Sequence, residues 1–143
     1  MGKSKILIGS QILFLILFFC GCDESVSTIP QVENGNFILF VSNQSSNLDP
    51  VDIKISIDGK LAVSQEFLNK GGHNWIKFEF QLTNGNHKLF SSSSKANISK
   101  DTLFVLPKTP YSVVDFWYSP QSSGSVEIKK FIISFSESSP GFM

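Results

Sequence analysis

Apolar and polar residues alternate with a period of two along most of the chain after Asn36. Val51–Ile57 alternates over its whole length, and Trp75–Leu82 does so again with Phe78 and Phe80 on its apolar face. A period of two is typical of strands that are buried on one face, whereas an amphipathic helix would show a period near 3.6. We therefore predict an all-β domain.

Turn-forming residues divide this region into about eight short strands. At Asp58-Gly59 a two-residue turn would place Ile57 opposite Lys60, so we expect a three-residue loop with Gly59 in the left-handed conformation. That loop would pair Ile55 with Leu61 and Ile53 with Val63. The spacing of strands and turns predicts a single antiparallel β-sandwich of immunoglobulin-like size over residues 37–143.

Two further turn signals refine the expected sheet. Asn84-Gly85 is typical of a two-residue hairpin, which would pair Phe80 with Leu89. The last apolar run, Val126–Ser136, changes phase at Lys129-Lys130. We interpret that change as a β-bulge on an edge strand protected by lysines.

The amino-terminal segment has a different pattern. Lys3 and Lys5 precede Ile6–Phe19, an apolar run of 14 residues that is interrupted only by Gly9, Ser10 and Gln11. That length is typical of a secretory signal peptide and is short for a helix that must cross about 30 Å of hydrocarbon. We predict a signal peptide over residues 1–21.

The end of this segment resembles the L-[AST]-[GA]-C motif of bacterial lipoprotein signals. Gly21 supplies the small residue that the motif places directly before its cysteine, Cys22. The resemblance implies cleavage after Gly21 and attachment of a diacylglycerol, with palmitate-like chains, to the sulfur of Cys22. Cys20, which follows Leu17-Phe18-Phe19, remains the alternative acceptor. Several acyl chains would hold the protein on a membrane, since each buried methylene contributes about 0.8 kcal/mol.

Residues 22–36 are polar, contain a proline and a glycine, and show no periodicity. We predict a lipidated tether, whose flexible form would have an r.m.s. reach of about 20 Å. The alternative is a partly ordered first strand. Asp23-Glu24 resembles the sorting signals of some bacterial lipoproteins, so we expect the domain to face the periplasm or the cell surface from the cell membrane or the outer membrane.

Composition limits the classes of partner. Removing residues 1–21 from the 143-residue chain leaves 122 residues with 10 lysines, no arginine and 12 acidic residues, a net charge of −2. Nucleic acid as a partner is not expected without a basic patch. Cleavage would also remove Cys20, so no disulfide could form and the core alone must stabilise the domain.

Catalytic and metal-binding motifs are missing from the sequence. It contains no G-x-S-x-G, no H-E-x-x-H and no cysteine nucleophile after cleavage, so we predict a protein that is not an enzyme and needs no cofactor. Its histidines, His73 and His87, lie 14 residues apart without a zinc pattern. A calcium site, the weaker alternative, would use the side-chain oxygens of Asn43, Asn47, Asp49 and Asp52.

Aromatic residues are the best candidates for binding. Trp75 lies on the polar face of its predicted strand and Trp117 has the same parity as Asp115, so exposed indole rings could stack on sugars. His73 follows Gly71-Gly72, where a backbone can approach a ligand closely. Asp101-Thr102-Leu103 resembles the O-glycosylation site of Bacteroidetes-type exported proteins, with Thr102 as the acceptor.

Two segments carry a resemblance to a known fold. Ile55-Ser56-Ile57-Asp58-Gly59-Lys60 and Leu82-Thr83-Asn84-Gly85-Asn86-His87-Lys88-Leu89 resemble PEGA-type domains and related transthyretin-like envelope sandwiches. With the lipoprotein signal, the chain is similar to small lipoproteins of Bacteroidetes-like bacteria. That resemblance supplies no activity, so we expect a non-catalytic interaction or structural module of the envelope. A glycan-binding lipoprotein that uses Trp75 and Trp117 is the first alternative, and a periplasmic enzyme is the second.

Overall fold

A computed structural model describes residues 26–71, 74–122 and 124–141. The predicted signal peptide and both candidate acyl acceptors, Cys20 and Cys22, lie outside these residues. Within the described ranges, no helix has the length and apolar character needed to cross a membrane.

The described part of the chain folds into eight strands. They are β1 (Phe37–Asn43), β2 (Val51–Ile57), β3 (Lys60–Phe67), β4 (Ile76–Phe80), β5 (Gly85–Ser93), β6 (Ile98–Leu106), β7 (Tyr111–Ser119) and β8 (Ile128–Ser136). One sheet has the order β4-β1-β7-β8 and the other the order β3-β2-β5-β6. The predicted all-β sandwich is confirmed. Its arrangement is not purely antiparallel, because β1 and β7 pair in parallel.

The core lies between the two sheets and follows the predicted alternation. The apolar residues of β2 and the inward-facing phenylalanines of β1 and β4 are fully buried or nearly so. Phe37 stacks on Phe104 with 4.6 Å between ring centroids, which joins β1 to β6 across the sandwich. Burying one such side chain contributes about 1.5 to 3 kcal/mol, so the burial of these apolar side chains is the main source of the domain's stability.

The β2–β3 hairpin has a tighter turn than predicted. Asp58 and Gly59 both have positive φ, 51° and 78°, as a two-residue type I′ turn requires, and Ile57 pairs with Lys60. The left-handed Gly59 is therefore confirmed, but the three-residue loop is wrong. A register shift after Ile55 restores the apolar face, because it places Val63 opposite Ile55.

The predicted hairpin at Asn84-Gly85 is wrong. Phe80 pairs with Phe37 in one sheet, whereas Leu89 pairs with Ile57 and Thr102 in the other. The chain therefore crosses from one sheet to the other between β4 and β5. Both strands have one apolar face, and the two faces contribute to the same core between the sheets.

The bulge predicted in the last strand is also wrong, although β8 is an edge strand as expected. Its register with β7 runs without a shift from Ile128 opposite Ser119 to Ser136 opposite Tyr111. Val126 and Ile128 are simply exposed, at 78% and 48%. The change of phase in the sequence therefore marks apolar residues on the solvent side.

Residues 27–36 do not form a free tether. They dock onto the domain, and we call them the strap. Leu61 donates its backbone N–H to Ser27, and Ile29 donates its own to the carbonyl of Leu61 at 2.8 Å. Farther along, Val32 donates to the carbonyl of Glu79. The prediction of a tether over residues 22–36 is therefore wrong for this part, and the partly ordered first strand is nearer to the observed structure.

The strap covers one open side of the sandwich, between the edge strands β3 and β4. Asn36 and Leu82 exchange two hydrogen bonds of 2.8 Å each. Gly35 lies so close to β4 that an added Cβ would come within 2.4 Å of the carbonyl oxygen of Phe80. Covering edge strands in this way also removes backbone groups that could pair with another chain.

Candidate functional site

Asp115 is the centre of a polar cluster on the outer face of the β4-β1-β7-β8 sheet. Its Oδ1 accepts a hydrogen bond from Trp75 Nε1 at 2.8 Å and another from Ser42 Oγ at 2.6 Å. Gln44 in turn donates to Ser42 Oγ at 2.7 Å. Ser42 and Asp115 are register partners of the parallel β1–β7 pair, so the strand order brings them together. The half-buried ring of Trp75 is thereby held at a fixed angle on the sheet.

Trp117 lies on the same outer face, two residues along β7 from Asp115. Its side chain is 44% exposed, and its register partner on β8 is Lys130. Ile128 and Ile132 of the neighbouring strand are exposed as well. The two predicted aromatic candidates therefore share one face, with Asp115 between them; Trp117 is open to solvent and Trp75 is held by a hydrogen bond.

An open groove of about 510 Å³ runs beside this cluster. It is lined by Trp75, Val113 and Asp115 together with serines of β8 and the segment after it, Ser134, Ser136, Ser138 and Ser139. An aromatic face, a carboxylate and several hydroxyls are groups that can bind a polyol or a peptide. Among the described residues that line the groove there is no histidine or cysteine.

A second cluster surrounds His87, which is buried at the start of β5. Its Nδ1 lies 2.7 Å from Asp58 Oδ2, and its Nε2 lies 2.8 Å from the carbonyl oxygen of Thr83. Both partners are acceptors, so both ring nitrogens must carry a proton when Asp58 is ionised. His87 is therefore an imidazolium that joins the β2–β3 turn to the segment before β5, and its ring also stacks on Phe104.

The titration of this pair agrees with its geometry. Burial acts to lower the pKa of His87, but the hydrogen bonds to Asp58 and Thr83 and the charge of Asp58 outweigh burial and raise this pKa above its ordinary value. Burial acts to raise the pKa of Asp58, yet the N–H of Lys88, His87 and the charge of Lys60 hold it below its ordinary value. Both shifts favour the charged forms of the two groups.

His87 is not placed to act as a general base, because both of its ring nitrogens already have partners. A cavity of about 310 Å³ adjoins it, lined on one side by the strap residues Thr28, Ile29 and Pro30. Since this cluster joins the β2–β3 turn to the β4–β5 connection, its evident role is structural.

The remaining predicted residues are not brought together in one site. His73 lies outside the described residues. Thr102 is half-buried in the middle of β6, opposite the buried Leu89, so the folded domain gives a glycosyltransferase little access to it. No group of three or more His, Cys, Asp or Glu side chains that could hold a metal ion occurs within residues 26–71, 74–122 and 124–141.

The proposed calcium ligands are engaged elsewhere. Asn43 donates to the carbonyls of Leu48 and Phe67, and Asn47 donates to that of Tyr118. Asp49 and Asp52 accept hydrogen bonds from separate parts of the chain, at residues 69 and 93–95. These hydrogen bonds do not favour the alternative of a calcium site in this region, which stays a prediction.

The sequence did not reveal the hydrogen bonds of Asp115 or the Asp58–His87 pair. The shared parity of Asp115 and Trp117 was the available signal for the first. Asp58 and His87 lie 29 residues apart in the sequence. Their contact depends on how the strands pair, which neither segment reveals alone.

Three comparisons bear on identity. No protein-family model matches the chain, and neither a curated protein nor a solved structure is significantly similar to it.

Proposed function

We propose that the chain is a lipoprotein anchored to a membrane of the bacterial envelope, in which Cys22 carries the lipid and the β-sandwich is a non-catalytic binding module. The observation that carries this proposal is the amino-terminal pattern of two lysines, a short apolar run and Gly21-Cys22. The resemblance of the β-sandwich segments Ile55–Lys60 and Leu82–Leu89 to PEGA-type and transthyretin-like envelope domains is part of the same proposal.

The described domain supports this proposal in two ways. It packs as a complete sandwich over its own apolar core, as a domain that works outside the cytoplasm without a disulfide must. The strap also begins beside the β2–β3 turn, where Ser27 bonds to Leu61, so that a lipid at Cys22 would attach through a short segment to that end of the domain.

Metabolic labelling with a clickable fatty acid tests the acceptor. The wild-type protein is expected to incorporate the label, Cys20→Ser to retain it and Cys22→Ser to lose it. Label that is retained in Cys22→Ser and lost in Cys20→Ser would assign the alternative acceptor. Absence of label from the wild-type protein would contradict the proposal.

A glycan is the ligand class that the outer face favours. Trp117 is exposed beside Asp115, and the serine-lined groove continues from the same cluster. Indole rings stack on the apolar faces of sugars, while carboxylate and hydroxyl groups bind sugar hydroxyls. An envelope protein bound through the same exposed apolar residues is the second candidate.

Tryptophan fluorescence during titration with soluble envelope glycans separates these candidates. A glycan that binds this face is expected to change the emission of wild-type protein, with no comparable change in Trp117→Ala. Phe90→Ala is the matched control, because Phe90 is similarly exposed, at 41%, on the β3-β2-β5-β6 sheet. No response to any glycan, or an equal loss in the control, would rule out glycan binding at this face.

A further inference from the structure

The strap fixes the point at which the folded domain begins. The first hydrogen bond of the described chain joins the carbonyl of Ser27 to the N–H of Leu61 at 2.9 Å, next to the β2–β3 turn. The connections that follow β2, β4 and β6 all lie at this end of the sandwich, which we call the anchor end. The connections that follow β1, β3, β5 and β7 lie at the opposite end, which we call the distal end.

Docking of the strap shortens the chain between a lipid at Cys22 and the domain. Five peptide units join Cys22 to Ser27, and at about 3.6 Å each they span at most about 18 Å. A free chain from residue 23 to residue 36 could have spanned about 50 Å. The nine residues of β7 extend for about 30 Å. We call the segment from Cys22 to Ser27 the stalk. Its greatest length is therefore smaller than the length of the domain along its strands.

This length excludes an orientation in which the distal end rests on the bilayer. For the distal end to touch the lipids with the anchor end above it, Ser27 would have to stand about 30 Å from the surface, roughly the length of a nine-residue strand. A stalk of at most about 18 Å cannot reach that height.

We propose that the anchor end of the sandwich lies against the lipid headgroups and that the distal end, with Trp117, is presented away from the membrane. The inference rests on acylation of Cys22 as proposed above. Lys60 and Lys108 are exposed at the anchor end, but Lys70 and Lys130 are exposed towards the distal end as well. The proposal therefore rests on the length of the chain between Cys22 and Ser27 and not on charge.

This orientation makes the exposed apolar residues near the distal end accessible to a partner. Trp117 lies six residues along β7 from Tyr111, which places it about 20 Å farther from the lipid surface. Val126 and Ile128, both exposed, lie near the same distal end. A partner approaching from outside the membrane would meet these side chains first.

Energy transfer from single tryptophans to dansyl-labelled headgroups tests this orientation in vesicles that contain the purified full-length lipoprotein after its cellular processing. One variant, Trp75→Phe, keeps Trp117 as its donor. The other, Trp75→Phe/Trp117→Phe/Lys108→Trp, has its donor at the anchor end. The second variant is expected to transfer strongly and the first to lose most of that transfer. Equal transfer, or stronger transfer from Trp117, would overturn the orientation.

Lengthening the stalk tests the cause. A ten-residue Gly-Ser insertion after Glu24 is expected to reduce the difference between the two donors. A difference that persists unchanged would overturn the assignment to stalk length. Protein that does not associate with the vesicles at all would refute the lipid anchor, and the orientation with it, whereas associated protein with equal transfer would refute the orientation alone.

Discussion

The two ends of the sandwich are built differently. At the anchor end, the buried His87 pairs with the exposed Asp58, the half-buried Asn36 bonds to the backbone of Leu82, and Gly35 lies against the backbone of Phe80. At the distal end, Leu68, Ile76 and Trp117 are exposed. The strap and the Asp58–His87 pair therefore hold the anchor end together, whereas Trp117 offers exposed apolar surface for binding towards the distal end. Substitutions at the anchor end should therefore mainly lower the free energy of unfolding, whereas substitution of Trp117 should mainly weaken ligand binding.

Replacing His87 by Ala should cause the largest loss of stability. It leaves Asp58 and the carbonyl of Thr83 without their donor and opens a cavity beside Phe104. Such losses together cost about 3 kcal/mol, measurable by urea unfolding. Asn86→Ala, an exposed neighbour on the same strand, is the control and should change the free energy of unfolding by less than about 0.5 kcal/mol. Equal effects of the two variants would contradict a structural ion pair.

Gly35→Ala should destabilise the domain by about 2 kcal/mol, because its Cβ would meet backbone atoms of Phe80 that cannot move without shifting β4. Faster proteolysis of the amino-terminal segment should accompany the loss. The matched control is Gly141→Ala, whose Cβ would have no atom within 4 Å. An unchanged unfolding midpoint in Gly35→Ala would show that the strap is not docked in solution.

The ion pair should make stability depend on pH at the anchor end. The pKa of His87 is raised, so its contribution is complete below the unfolded value of about 6.5 and is lost as the pH rises through the folded pKa. The pKa of Asp58 is lowered, so its contribution is present above about 3.9 and is lost as the pH falls through the folded pKa. Urea midpoints between pH 5 and pH 9 should decline on the alkaline side in wild-type protein, and the decline should be smaller in His87→Gln. Parallel profiles would contradict this assignment.

Trp117→Ala should have the smallest effect on stability, within about 0.5 kcal/mol, because the side chain is largely in solvent. Binding of an envelope ligand should instead be weakened most by this change. Asp115→Asn should also weaken ligand binding at this outer face, because it weakens the hydrogen bonds that position Trp75 and Ser42. A large loss of stability in Trp117→Ala would place the ring in the structural core of the sheet.

The parts of the fold that depend on local pattern could be predicted from the sequence. Alternation identified the buried face of β2, and Asp58-Gly59 marked a real turn. The same kind of signal failed at Asn84-Gly85, because a turn dipeptide reports the bend of the chain and not which sheet the next strand joins. Which sheet the strand joins is decided by packing between apolar faces that are far apart in the sequence.

The candidate site shows the same limit. The parity of Asp115 and Trp117 could be read directly, but the hydrogen bond from Trp75 to Asp115 spans 40 residues and depends on β1 lying between β4 and β7. Docking of the strap was equally hidden, since it relies on backbone hydrogen bonds and a close approach at Gly35. Neither produces an apolar period in the sequence.

Intact mass spectrometry of the mature protein extracted from membranes tests the lipid anchor most directly. The expected species is a chain that begins at Cys22 and carries a diacylglycerol on its sulfur, with or without a further acyl chain on its amino group. An unmodified chain recovered from the detergent-free soluble fraction would contradict the anchor and every conclusion about orientation that depends on it.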